Sequence, residues 1–261
     1  MTASSGDDWD HPETMRAWLA FDAASDRYRS VNQALASHAA LADLDAPRIL
    51  DVGAGTGGTT GALLPLLPPS AEVVCVEPAA AMREASPVRD PRVRWVADLP
   101  DDRYDRVVCG ASVWLLGPLA EVIPRLRARL APDGALLFAI PAGYLGEPDP
   151  PGGGADPWLR APVQRLIAGR TAAPEATAPF PDRAGLEQLL VAANLRGEPW
   201  QVTTHWTLAS YAAWLALPPI SAVMNPELSR EERRARLDAA VLDGDSESWR
   251  DETWLGWTAW A

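Results

Sequence analysis

The chain of 261 residues contains no lysine; all 23 of its basic residues are arginine. That absence excludes a Schiff-base lysine, a pyridoxal-phosphate anchor and the lysine of a Walker-type phosphate loop. Cysteine is nearly absent as well. Cys75 and Cys109 are the two present, each at the end of an apolar run. Two such residues fit buried free thiols in a reducing compartment and not a disulfide framework. No uninterrupted apolar stretch reaches the roughly 18 residues that a membrane span needs, so no membrane partner is expected. The opening residues, MTASSGDDWDHPE, are acidic and lack an apolar core, which predicts no secretory signal and a cytoplasmic location. Positive charge is in deficit: 35 acidic residues against 23 basic ones leave a net charge of −12. Such a balance argues against nucleic acid as a partner.

What the chain has is apolar material, 48% of its residues, enough for a full core. Short apolar runs at 48–52, 73–77, 93–97, 106–109 and 135–140 alternate with helical stretches at 58–67, 79–85 and 119–130. Near-continuous apolar strands separated by helices indicate a parallel sheet covered on both faces. The connection at 98–105 is too short for a full helix. Ahead of this pattern, residues 15–41 place Trp18, Phe21, Tyr28, Val31 and Leu35 at helical spacing, with Pro47 as a stop. Behind it, a helix at 181–194 with Asp182 as its N-cap leads to a strand at 198–204. Helices at 208–217 and 227–242 follow, then a last strand at 253–260. The expected fold is α/β: a Rossmann-like, doubly wound, seven-stranded, mostly parallel sheet. An N-terminal helical cap (1–47) precedes the main domain (48–261), which carries lid insertions at 145–181 and 207–245. The first insertion is rich in Pro and Gly and holds one expected helix, 157–169.

Residues 49–58 read ILDVGAGTGG, a strand running into a glycine turn that opens a helix. The first strand of a doubly wound sheet lies beside the point where ligands bind. Gly53, Gly55 and Gly58 satisfy G-x-G-x-x-G, the dinucleotide pattern; Asp51, Gly53, Gly55 and Gly57 satisfy D-x-G-x-G-x-G. Glu77, at the end of the second strand, suits two ribose hydroxyls in either case. Asp51 separates the two, because a carboxylate there suits an ammonium or sulfonium and repels a pyrophosphate. Asp98, ending the third strand, adds an acceptor for an adenine amino group. On these residues the chain resembles the class I S-adenosylmethionine-dependent methyltransferases, with VVCVEPAAAM similar to the segment that follows their glycine motif. The resemblance implies S-adenosylmethionine as cofactor, with Asp51, Gly53, Gly55 and Gly57 on its methionine part and Glu77 on the ribose. It also implies Pro78 and Met82 near adenine, with Asp98 and Leu99 at its edge. The stretch FDAASDRY is similar to the N-terminal helix of small-molecule enzymes of the ubiquinone-biosynthesis type, where Tyr28 caps the cofactor.

On the acceptor side the fourth strand ends Cys109-Gly110-Ala111-Ser112. The acidic-aromatic tetrad of DNA and protein amide methyltransferases is missing, and so are metal-binding carboxylates; no metal is expected. A small-molecule methyl acceptor remains. Of the 12 tryptophans, Trp9, Trp18, Trp114, Trp158, Trp206 and Trp214 fall where they could face it. Tryptophan faces suit flat or apolar rings, so the expected acceptor is an apolar or aromatic secondary metabolite. Trp18, Ser112, Trp114 and Trp206 are the substrate-binding candidates. His205, past the sixth strand, and Tyr144, past the fifth, are the candidates for a general base; His38 reads as a structural residue on a helix. The oligomeric state stays open. The leading expectation is methyl transfer to that acceptor; the alternative is a protein that binds the cofactor for a non-methylating reaction or as a noncatalytic subunit.

Overall fold

A computed structural model of the chain describes residues 9–147, 180–242 and 249–261. It divides into two compact units, one of residues 28–149, 177–204 and 253–261, the other of residues 1–27, 150–176 and 205–252. The expected insertion at 145–181 falls mostly outside the described residues, as do the helix at 157–169 and Trp158.

The first unit is built on the sheet. Strands β1 (Arg48–Val52), β2 (Glu72–Val76), β3 (Val93–Val96), β4 (Tyr104–Cys109) and β5 (Leu130–Pro141) are joined in parallel. With β6 (Arg196–Thr207) and β7 (Trp249–Trp260) they form one seven-stranded sheet in the order β3-β2-β1-β4-β5-β7-β6. Strand β7 runs antiparallel to β5, pairing Ala135 with Trp260 and Pro141 with Trp254. The order reverses between β1 and β4, the switch point of a doubly wound fold. Helices α3 (Gly58–Leu63), α4 (Ala80–Ala85), α5 (Leu119–Arg127) and α6 (Arg183–Ala192) lie between the strands. The period of two along a strand sorts side chains to two faces. Leu50, Val52, Val74, Val76, Val107 and Phe138 join the core under α5 and α6, while Ile49, Val73, Cys75 and Leu137 join the core under α2 (Arg27–Ser37) and α3. Asp51 alternates with Leu50, so it points to the α3 face.

The second unit gathers α1 (Pro12–Ala24), α7 (Leu208–Leu215), α8 (Pro218–Met224) and α9 (Arg230–Leu242), with the end of β6 and the start of β7. Its core is aromatic: Trp206 is 1% exposed and packs on Phe21, Tyr211 and Trp214. The Arg27 guanidinium lies 4.7 Å from the Trp206 ring centre and makes a buried two-pronged ion pair with Glu252, at 2.8 and 3.1 Å.

Four expectations about elements are corrected. The helical spacing over 15–41 is two helices, because the Ser25 hydroxyl accepts from the Arg27 amide and starts a new one. Strand β5 begins five residues early: Leu130 pairs with Tyr104 and Ala135 with Arg106, and residues 131–134, with Asp133 at φ 62°, bulge out between. His205 lies within β6 rather than after it, and His38 lies one residue beyond α2, stacked 4.9 Å from Trp200.

Candidate active site

The carboxyl ends of β1, β2 and β4 meet around the glycine loop. Gly53 and Ala54 donate to the Val76 carbonyl at 2.9 and 3.0 Å, which ties the loop to β2. Gly53, Gly55 and Gly57 take φ of 69°, 56° and 91°, the left-handed region that disfavours a side chain. Two are also closely covered. A Cβ on Gly53 would lie 2.5 Å from the Ser112 hydroxyl, and one on Gly57 would lie 2.9 Å from Val88 and 3.3 Å from Trp95. A Cβ on Gly55 would meet nothing within 4 Å, so the middle of the loop faces open space.

Two carboxylates frame that space. Glu77, 9% exposed, accepts from the Gly55 amide on one oxygen and from the Ala79 amide on the other, both at 2.9 Å. Each oxygen keeps a further lone pair. Asp51 is fully buried; its Oδ2 accepts from the Thr60 amide at 3.1 Å and the Thr60 hydroxyl at 2.7 Å, while its Oδ1 has no partner. Burial raises its carboxyl to about 6; the Thr60 hydrogen bonds oppose the rise and the charge on Glu77 adds to it. Burial likewise pushes the Cys109 thiol up to about 12 and raises Cys75. Both cysteines are free and buried, so neither is a nucleophile here.

Around the loop, Arg83 donates to the carbonyls of Glu77 and Pro78 at 2.6 and 2.8 Å. Met82 is buried, Pro78 and Asp98 are exposed, and Leu99 packs half-buried against the core. Ser112 commits its hydroxyl to the Val52 carbonyl at 3.0 Å and lies 3.1 Å from the Cys109 sulfur, so it braces the loop. Asn32 accepts from the Thr59 hydroxyl at 2.8 Å and fills the space a side chain on Gly58 would take.

A row of aromatic rings runs along the same unit. Tyr28 meets Trp254 at 6.1 Å, Trp254 meets Trp114 at 5.8 Å, Trp114 meets Tyr144 at 5.6 Å and Tyr144 meets Phe180 at 5.2 Å. Its outer end is open, with Tyr144 41% and Phe180 37% exposed. The sequence reading picked out Tyr28, Trp114 and Tyr144 separately and missed Trp254 and Phe180. The signal for Trp254 was the direction of β7: a strand antiparallel to β5 begins where β5 ends. Trp18, Trp206 and His205 belong to the helical unit. There Trp206 is core, Trp18 packs between Trp9 and Phe21, and His205 Nδ1 lies 3.0 Å from Asp251. His205 and Tyr144 therefore sit in different units.

Residues 50–136 match a family model described as a methyltransferase domain. A trans-aconitate 2-methyltransferase of Methylobacterium radiotolerans is 31% identical over 216 residues, covering 77% of this chain and 80% of that protein. The chain belongs to the class I S-adenosylmethionine-dependent methyltransferases. The fold agrees. A cyclopropane-fatty-acyl-phospholipid synthase-like protein of Lactobacillus casei superposes with a TM-score of 0.55 at 17% identity, over 89% of this chain and 90% of that one. A methyltransferase of Geobacter sulfurreducens, solved with S-adenosyl-L-homocysteine, gives 0.50 at 16% identity over 99% and 94%. The methyltransferase cofactor fits what the loop offers. Unpartnered Asp51 Oδ1 calls for a donor or cation, open space lies over Gly55, and the Glu77 oxygens have lone pairs to spare. Bound there, S-adenosylmethionine supplies an electrophilic methyl group on a sulfonium.

Proposed function

We propose that this methyltransferase acts on a small, flat carboxylic acid and esterifies a carboxylate oxygen. The observation that carries the reading is the reach of the likeness to the trans-aconitate 2-methyltransferase. It spans 216 residues, well past the matched domain at 50–136, so it takes in the acceptor side as well as the cofactor side. A carboxylate is already ionised at neutral pH. It needs no general base; orientation and removal from water suffice. In this reading Asp51 holds the cofactor's ammonium group, Glu77 its ribose, and Met82 and Leu99 its adenine, with Pro78 and Asp98 at the rim and Tyr28 above. Trp114 and Tyr144 orient the acceptor's flat face. His205, held by Asp251, and Tyr144 serve as bases only for an acceptor that arrives protonated. No helix among the described residues is long and apolar enough to cross a membrane.

The row Tyr28–Trp254–Trp114–Tyr144–Phe180, open at Tyr144 and Phe180, favours a second reading: an apolar or aromatic acceptor without a carboxylate. Methylation assays with trans-aconitate, an aromatic acid and an uncharged phenol, read by mass spectrometry, separate the two. A base-labile methyl ester on either acid supports the first reading. Turnover of the phenol alone overturns it.

A further inference from the structure

Within the sheet unit, α2 presents two side chains one turn apart to different neighbours. Tyr28 meets Trp254 in the aromatic row, while Asn32 reaches the glycine loop. Asn32 Oδ1 accepts from the Thr59 hydroxyl at 2.8 Å, which leaves Nδ2 as a donor with two hydrogens to give. Nδ2 lies 2.7 Å from the place a Cβ on Gly58 would take, and Gly58 is exposed. Among the described residues Nδ2 meets no acceptor. Oδ1 lies 2.9 Å from the place a Cβ on Gly110 would take, just past the end of β4. The amide is therefore seated between the start of α3 and the carboxyl end of β4. Its neighbours on the helix, Val31 and Leu35, are wholly buried core residues. An aliphatic side chain would pack beside them; an amide with one end fixed and the other open is a donor held ready for a ligand.

The sheet says which part of a ligand lies there. The strands run in the order β2-β1-β4. Glu77 follows β2, Asp51 belongs to β1 and Gly110 follows β4. With the ribose at Glu77 and the ammonium at Asp51, the cofactor runs along the loop toward β4 and Asn32. The supports of the last two residues are also adjacent: Thr60 donates to Asp51, and Thr59 to Asn32. An amino-acid end carries its ammonium and its carboxylate on the same carbon. A carboxylate that accepts and an amide that donates, held by consecutive threonines, match that pair.

We infer that Asn32 Nδ2 donates to the α-carboxylate of S-adenosylmethionine, so that Asp51 and Asn32 read the amino-acid end of the cofactor together. This assignment rests on the placing of the cofactor proposed above.

Calorimetry on the full chain tests it with ligands that differ only at that end. S-adenosylhomocysteine carries both groups, decarboxylated S-adenosylmethionine keeps the ammonium alone, and methylthioadenosine has neither. Asn32→Asp keeps the acceptor for Thr59 and turns the donor into an anion. It should raise the Kd for S-adenosylhomocysteine about tenfold or more, the loss of a hydrogen bond to a charged group. Methylthioadenosine should stay within about twofold, which also reports that the variant is folded. Decarboxylated S-adenosylmethionine should bind more tightly. Asn32→Ala should weaken S-adenosylhomocysteine in the same sense and leave the other two ligands alone. Equal losses for all three ligands would mean that Asn32 only joins α2 to α3, and unchanged affinities in folded variants would overturn the assignment as well. Glu77→Ala tests the placing separately, since it should weaken methylthioadenosine along with the rest. If Glu77→Ala changes nothing while Asn32→Asp still singles out the carboxylate, the ribose placing fails and Asn32 keeps its role. If Glu77→Ala weakens all three and Asn32→Asp none, the placing stands and the role of Asn32 falls.

Discussion

Asp51 is ionisable, fully buried and half-satisfied, and its titration follows from that. Its carboxyl rises from 3.8 to about 6 in the folded chain. Between those values the folded state keeps a proton that the unfolded state releases. This group's contribution to stability is therefore present below about pH 4 and is lost as pH rises through 6, by about 3 kcal/mol in total. Urea unfolding of the ligand-free protein at pH 4.5 and pH 7 should show the fall in wild type and a smaller one in Asp51→Asn. Cofactor binding works in the opposite sense, because a cation beside Asp51 favours its ionised form. S-adenosylhomocysteine affinity should drop as pH goes below 6, with a proton released on binding; calorimetry in buffers of different ionisation heat reads both. Equal affinity at pH 5 and pH 7.5 would take Asp51 away from the ligand.

Glu77 combines two tasks. Replacing it with Ala removes acceptors from Gly55 and Ala79 as well as from a ribose, and should weaken S-adenosylhomocysteine by roughly 1.5–3 kcal/mol, the scale of hydrogen bonds to a charged group. An unchanged dissociation constant in folded Glu77→Ala would free Glu77 from both tasks. General bases typically contribute about 10²–10⁴-fold. A carboxylate acceptor needs none, so His205→Ala and Tyr144→Phe should each lower kcat by less than about tenfold. A loss of 10²-fold or more in either variant would mean that the acceptor arrives protonated.

At the scale of elements, the glycine loop shows why position matters more than residue type. Gly57→Ala forces a side chain into the left-handed region and into Val88, with Ser86 and Trp95 behind it. It should cost about 1–3 kcal/mol. Gly61, in α3 with nothing within 4 Å of a Cβ, should instead gain about 0.4–1 kcal/mol as Ala, because the unfolded chain loses freedom and the helix accepts it. Thermal melts of the two variants should move in opposite directions.

The same contrast explains what could be read from the chain. Strands β1, β2 and β4 are buried on both faces, so each reads as a mainly apolar run with sharp ends, and the loop after β1 announces itself by its glycines. Ser25 hid a helix boundary because a serine fits a helix face as well as a cap. Pro132-Asp133-Gly134 reads as a turn, and only pairing across to Tyr104 shows that the strand resumes on its far side. Asp51, Gly53 and Glu77 were legible because the sheet fixes their place. Trp254 depended on the direction of β7, and Asn32 on how α2 lies against the start of α3; no local pattern carries either.

At the scale of the molecule, the helical unit holds a buried ion pair. Arg27 and Glu252 are 4% and 11% exposed at their side chains, and removing one takes a two-pronged partner from a buried charge. Arg27→Leu should destabilise the protein by about 3–5 kcal/mol, and the double change with Glu252→Leu should recover most of the loss. Urea melts of the single and double variants check this; a single variant as stable as wild type would make the pair dispensable.

Strand β7 lies between β5 and β6, although residues 208–248 separate it from β6 along the chain. Synthesis therefore delivers β6 about forty residues ahead of β7, its neighbour in the sheet among the described residues. On the ribosome β6 waits as an unpaired ribbon, with its backbone amides and carbonyls open to any passing strand. The order of translation thus leaves the nascent chain most exposed to aggregation just before its sheet can close.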